Sequence, residues 1–140
     1  MAAAGVELMR ELYAAFARRD LDRIRVAIHP EFEMTVTDQL PWGGVRRGPD
    51  GFFAFLADLL GHLDPHLETD ALFDAGEHVV QVGHTTGTVH ASGARFHARE
   101  VHVWRLRDGL LASYRVYVDV PAIRAALESA TSRSPSPPPA

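Results

Sequence analysis

The chain has no cysteine and no lysine among its 140 residues. Without cysteine there is no disulfide framework, no thiolate nucleophile and no thiolate metal site, a composition that fits a cytoplasmic enzyme. All fourteen basic residues are arginine, a bias of the kind a GC-rich coding sequence produces, which says nothing of mechanism. Positive charge is scarce as well. The net charge is −4 and the pairs Arg18-Arg19 and Arg46-Arg47 stand isolated, so the electrostatic footprint of a nucleic-acid-binding surface is missing. No apolar run approaches the roughly 18 residues of a membrane span. The start, MAAAGVELMREL, has neither the basic lead nor the long apolar stretch of a signal peptide. There is no Gly-rich phosphate loop, no nucleophile elbow and no His-Glu-x-x-His pattern, and Pro65 interrupts the helical spacing of His62 and His66. These absences leave no sequence signal for a bound metal, a phosphate cofactor, nucleic acid or a membrane span.

What is present reads as one globular domain. Apolar residues make up 46% and charged residues 23%, and a chain of this length buries about two-thirds of its unfolded surface. Val6 to Arg18 carries apolar residues at Leu8, Leu12 and Phe16 with helical period. Asp20 caps a second, shorter helix through Ile28. Pro30 ends it, and Phe32 to Val36 alternates as a first strand. Leu40 to Gly51, broken by Pro41, Gly43, Gly44, Gly48 and Pro49, reads as a loop. It leads into a third, largely buried helix from Phe52 to Leu63, which Pro65 closes. Four strands follow: Leu67 to Asp74, His78 to Ala91, Arg95 to Arg107 and Leu110 to Val118. Pro121 to Ser129 makes a last helical turn or two. Helices followed by an antiparallel meander imply an α+β fold with the helices on one side of a curved sheet. Residues 1–128 form the domain, and 129–140, rich in proline and serine, form a disordered tail.

The most telling stretch is Val101 to Leu127. β-Branched and aromatic residues flank Asp108-Gly109, a strong hairpin signal. Into this apolar setting the chain places His102, with Glu100 two residues earlier on the same strand face. A group that titrates near neutral pH and a carboxylate on one buried sheet face suggest a pocket. Each residue has a plainer alternative. His102 can be a core histidine satisfied by a carbonyl, and Glu100 a solvated residue at the sheet edge. If both are buried, proximity raises the histidine pKa and burial lowers it, and the sequence does not fix the sign.

The order of these elements resembles the nuclear transport factor 2-like fold, which ketosteroid isomerase shares, and within it the SnoaL-like polyketide cyclases. The residues that carry the likeness are Ile28-His29-Pro30-Glu31-Phe32, Gly48-Pro49 at the third helix, and the hairpin from Val101-His102 through Asp108-Gly109 to Asp119. It runs from about Leu12 to Leu127 and implies a cone: three N-terminal helices packed on a curved, mostly antiparallel sheet around an apolar interior. The cyclase histidine falls on His102, a pocket glutamine on Glu100, and the acid-base aspartate on Val116. For ketosteroid isomerase, the general-base aspartate falls near Val36, the helix-one tyrosine nearest Leu12 (beside Tyr13), and the buried acidic donor near His102. The chain thus lacks the defining carboxylate of both families.

Which side chains share the pocket depends on the hairpin register, because a one-residue slip exchanges a whole face. A two-residue Asp108-Gly109 loop pairs Arg107 with Leu110 and puts Tyr117 and Asp119 with His102. A three-residue Arg107-Asp108-Gly109 loop pairs Leu106 with Leu110 and puts Tyr114, Val116 and Val118 with Glu100 and His102. The Asp-Gly placement and the family resemblance both favour the three-residue form. The candidate catalytic residues are His102, Glu100 and Asp38, the last also suited to capping a turn. Trp42, Trp104, Tyr114, Val116, Tyr13, Leu12 and Met34 are the candidate substrate-binding residues, Trp42 covering the cone mouth. Asp119 can cap the turn that follows it.

The leading expectation is a cofactor-independent cyclase or isomerase of polyketide-type antibiotic biosynthesis. It folds an apolar substrate for ring closure, pericyclic rather than aldol, with His102 and Glu100 as polar anchors. One alternative is water activation against an epoxide by Asp38, Glu100 and His102. The other is a non-catalytic binding or dimerisation module. The resemblance also implies a homodimer, with Val101, Val103 and Tyr117 on the outer sheet face.

Overall fold

In a computed structural model, residues 2–132 form four helices and one six-stranded sheet. Helix α1 (Ala2–Ala17) turns Met9, Leu12 and Ala15 inward. Helix α2 (Leu21–Arg25) starts at Asp20, whose side chain accepts a hydrogen bond from the Arg23 amide. Strand β1 (Ile28–Val36) and the short β2 (Gly44–Arg47) precede α3 (Gly48–His62). There Gly48 supplies a positive φ of 72° and Pro49 occupies the first turn, where its missing N–H costs nothing. Strands β3 (Leu63–Ala75), β4 (His78–Val89), β5 (Arg95–Arg107) and β6 (Leu110–Val118) follow, then helix α4 (Val120–Ser132).

The strand order is β2-β1-β6-β5-β4-β3, antiparallel except where β1 meets β6. The alternating burial of β4 and β5 leaves one sheet face toward the helices and one outward. The core lies between that inner face, α1 and α3, and includes Phe32, Met9 and Met34, each almost wholly buried. Each such side chain contributes about 1.5–3 kcal/mol relative to exposure. Two glycines let the sheet curl. A Cβ on Gly83 would sit 2.2 Å from the Glu68 carbonyl oxygen, and one on Gly87 equally close to that of Asp64. Strand β3 therefore closes over β4 at a distance that a side chain at either position would forbid. Arg19 ties the end of α1 to this edge by donating to the carbonyl oxygens of Phe16 and Pro65.

The β5–β6 hairpin departs from expectation in an instructive way. Its loop has two residues, with Arg107 paired to Leu110 and with Asp108 and Gly109 both at positive φ. The expected three-residue loop is absent. Yet Glu100 faces Val118, His102 faces Val116 and Trp104 faces Tyr114, the set that the longer loop implied. A bulge reconciles the two. Arg105 pairs with Ser113 but Leu106 with Leu111, so Ala112 is an extra residue on β6. One slip at the turn and one at the bulge cancel.

Other boundaries move for local reasons. Strand β1 begins at Ile28, earlier than expected, because Pro30 lies where β1 has no continuous ladder with β6, between the pairs at Ile28 and Glu33. Four residues of the expected loop form β2, an edge strand paired to residues 33–36 of β1. Pro65 sits inside β3, tolerated because β3 is the other sheet edge. The C-terminal turn is instead a helix that continues to Ser132, past the expected boundary at 128. The remainder of the expected tail, 133–140, lies outside the described residues.

Candidate functional site

Between α1, α3 and the inner sheet face lies a cavity of about 110 Å³. Its walls are mostly apolar: Met9, Leu12 and Phe16 from α1, Phe52, Phe55 and Leu56 from α3, and Ile123 from α4. The polar side chains in the lining are Thr85, Glu100, His102, Tyr114 and Tyr13, with the Trp104 indole. All but Tyr13 come from β4, β5 and β6, so the cone is polar on one wall. Among the described residues no arginine lines it.

These polar groups form one chain of contacts. Glu100 accepts from the Thr85 hydroxyl and from Gln81 Nε2 at 3.0 Å. His102 Nε2 lies 3.5 Å from Glu100 Oε2, and its Nδ1 lies 2.8 Å from the Tyr13 hydroxyl. Trp104 Nε1 lies 2.8 Å from that same hydroxyl. Indole N–H can only donate, so the Tyr13 oxygen accepts from Trp104. The Glu100 carboxylate 3.5 Å from Nε2 favours the histidine proton on that nitrogen, leaving Nδ1 to accept from the Tyr13 hydroxyl. Burial pushes the His102 pKa below its ordinary 6.5, against the opposing pull of Glu100, so the ring is neutral at pH 7. Burial likewise lifts the Tyr13 phenol well above 10, Trp104 opposing and Glu100 adding to the shift.

Over residues 9–114 the sequence matches the SnoaL-like domain family. The chain belongs to that family. A nuclear transport factor 2-like protein from Burkholderia thailandensis is 30% identical, with a TM-score of 0.81 over 88% of this chain and 96% of that one. TerC, solved with polyporic acid, is 27% identical, with a TM-score of 0.80 over 89% and 98%. IdmH from Streptomyces antibioticus, named as a candidate polyketide cyclase, is 20% identical with a TM-score of 0.72 over 89% and 98%, and shares the fold. Among curated proteins nothing matches the sequence.

In this SnoaL-like cone Glu100, His102, Tyr13, Leu12, Trp42, Trp104, Tyr114 and Val116 all line the cavity. Two of the sequence-predicted site residues do not. Asp38 is exposed in the turn after β1, outside the cavity, because the chain reverses there toward β2 and carries the side chain into solvent. Met34 points inward but is sealed in the core, away from the cavity wall. Asp119 caps α4, its carboxylate accepting from the Ala122 amide at 3.2 Å. Sequence reasoning passed over Gln81 and Thr85, both buried. The signal was available: Val79, Gln81, Gly83 and Thr85 alternate along one face of β4, and two polar residues on an inward face need partners. Among the described residues no group of three or more His, Asp or Glu is placed to hold a metal ion, and no helix is long and apolar enough to cross a membrane.

Proposed function

We propose that this SnoaL-like chain is a cyclase or isomerase of polyketide-type natural-product biosynthesis, holding an apolar substrate in the cone beside Glu100 and His102. One observation carries the reading: a buried carboxylate, with no arginine partner among the described residues, stands on the one polar wall of a cavity whose other walls are apolar. A neutral histidine stands beside that carboxylate, its Nε2 at 3.5 Å. Glu100 is the group able to take a substrate proton, because His102 Nδ1 already accepts from Tyr13 and Nε2 carries the ring proton, whereas Glu100 Oε1, held only by Thr85, keeps a lone pair. With Val116 where the cyclases carry an aspartate, the cavity offers a single carboxylate, and confinement of the substrate supplies the remainder. Holding a flexible chain in reactive geometry lowers a barrier by about 7 kcal/mol or more. Water activation by three converging groups is not advanced, since Asp38 lies outside the cavity. A binding module is the second reading, favoured by the near-complete internal pairing of the polar wall. The proposal includes a homodimer through the outer sheet face.

The test is conversion of linear and partly cyclised aromatic polyketides by the purified protein, followed by chromatography and mass spectrometry. The expected product is isomeric with the substrate or lighter by one water. His102→Ala should slow its formation about 10²-fold. Val116→Asp should also slow it, because an unpaired charge in an apolar site is costly. Abolished activity in His102→Ala, together with one steep ionisation near neutrality in the wild type, would make His102 an ordinary base. Binding without conversion across the whole set would favour the module.

A further inference from the structure

Within the polar wall, nearly every group is committed to another. Thr85 and Gln81 hold Glu100, His102 bridges Glu100 and Tyr13, and Tyr13 takes the Trp104 N–H. Tyr114 stands apart. It lines the cavity, and no hydrogen bond reaches its hydroxyl among the described residues. Nor is that hydroxyl sealed in the protein: Gln81 Oε1 is the only fully buried side-chain nitrogen or oxygen without a partner among the described residues. The Tyr114 ring cannot swing toward an internal acceptor. It lies flat on Trp104, with centroids 3.7 Å apart and planes 6° from parallel, and meets His102 edge-on at 5.2 Å. Burial, with Tyr13 and Glu100 nearby, raises its pKa well above 10, so it remains a donor at neutral pH.

The charges around it restrict what it can meet. Among the described residues no arginine lines the cavity, and Glu100 opposes an anion. The aromatic faces favour a flat, conjugated guest. We propose that Tyr114 is the specificity-determining donor of the cone, holding the carbonyl oxygen of a neutral aromatic or conjugated ketone. The inference rests on the cone being a small-molecule site, whether catalytic or binding.

The experiment is a titration followed by protein NMR, using three single-ring probes scaled to the cavity: acetophenone, its apolar counterpart ethylbenzene, and benzoate. Loss of one hydrogen bond to a ligand changes affinity by about tenfold. Tyr114→Phe should therefore weaken acetophenone about tenfold and leave ethylbenzene within about twofold. Tyr13→Phe, refolded and checked by its NMR spectrum, should not discriminate between the two. Benzoate should bind more weakly than either neutral probe. Equal changes for acetophenone and ethylbenzene in Tyr114→Phe, or benzoate binding as well as acetophenone, would overturn the role of Tyr114 and leave the cone as a site. Absence of binding by all three probes would overturn this inference and the small-molecule reading together.

Discussion

Removing the same atom from two tyrosines of this cone should have very different consequences. Tyr13→Phe deletes a hydroxyl that satisfies Trp104 Nε1 and His102 Nδ1, each at 2.8 Å. It opens no cavity larger than one oxygen, so packing is nearly unchanged and the cost is the loss of hydrogen bonds. Trp104 and His102 are 5% and 4% exposed, so water cannot freely replace the lost partner. An unsatisfied buried donor or acceptor costs about 1–3 kcal/mol, and two are created here, giving about 3 kcal/mol after partial relaxation. For a domain of this size, with an unfolding entropy of about 2 cal/mol/K per residue, that lowers Tm by roughly 10 °C. Tyr114→Phe removes a hydroxyl without an internal partner and should change stability by less than about 0.5 kcal/mol. Urea unfolding of both variants at pH 7, beside the wild type, measures the contrast. Equal losses in the two, or a loss below about 0.5 kcal/mol in Tyr13→Phe, would refute the hydrogen-bond assignment and the histidine tautomer deduced from it.

Stability should depend on pH through His102. Its folded pKa is depressed below 6.5 by burial, so the unfolded chain binds more protons between those values. Stability is then lost as pH falls below about 6.5 and is flat above it with respect to this group. His102→Asn should flatten the acid slope in urea midpoints measured from pH 7 to 5, and an unchanged slope would argue against it. Gly83→Ala should destabilise by about 2 kcal/mol, because its Cβ would meet the Glu68 carbonyl oxygen at 2.2 Å. Gly61→Ala, in α3 with nothing within 4 Å, should instead stabilise by about 0.5–1 kcal/mol, and thermal melts compare the two. The outer sheet face carries Val101 and Val103 beside Val80 and Val82, with Phe73 and Tyr117 about half exposed. The protein should therefore sediment as a dimer at micromolar concentration and Val101→Arg/Tyr117→Glu as a monomer. A monomeric wild type would remove the proposed interface.

Some of this was determined by sequence alone. Strands β5 and β6 fall at the residues that alternation and the Asp108-Gly109 signal indicate, since strand periodicity and turn chemistry are local properties. The same alternation placed Glu100, His102 and Trp104 on one face. The apolar spacing of α1 put Leu12 on the helix face that reaches the core. Tertiary structure alone decided the rest. The bulge at Ala112 restored the register that the two-residue turn would have shifted, and a bulge becomes visible only once both strands are paired. Strand β2 has almost no signal of its own and exists because the β1 edge offers unpaired backbone groups. Asp38 reads as a carboxylate near the end of a strand, but the reversal into β2 turns it to solvent. The union of Tyr13 with His102 spans 89 positions in the chain. It arises because α1 packs across the inner sheet face, and no local pattern encodes a contact between elements so far apart. The protonation of His102 follows from that contact, since the donor on one side and the carboxylate on the other belong to different elements of the fold.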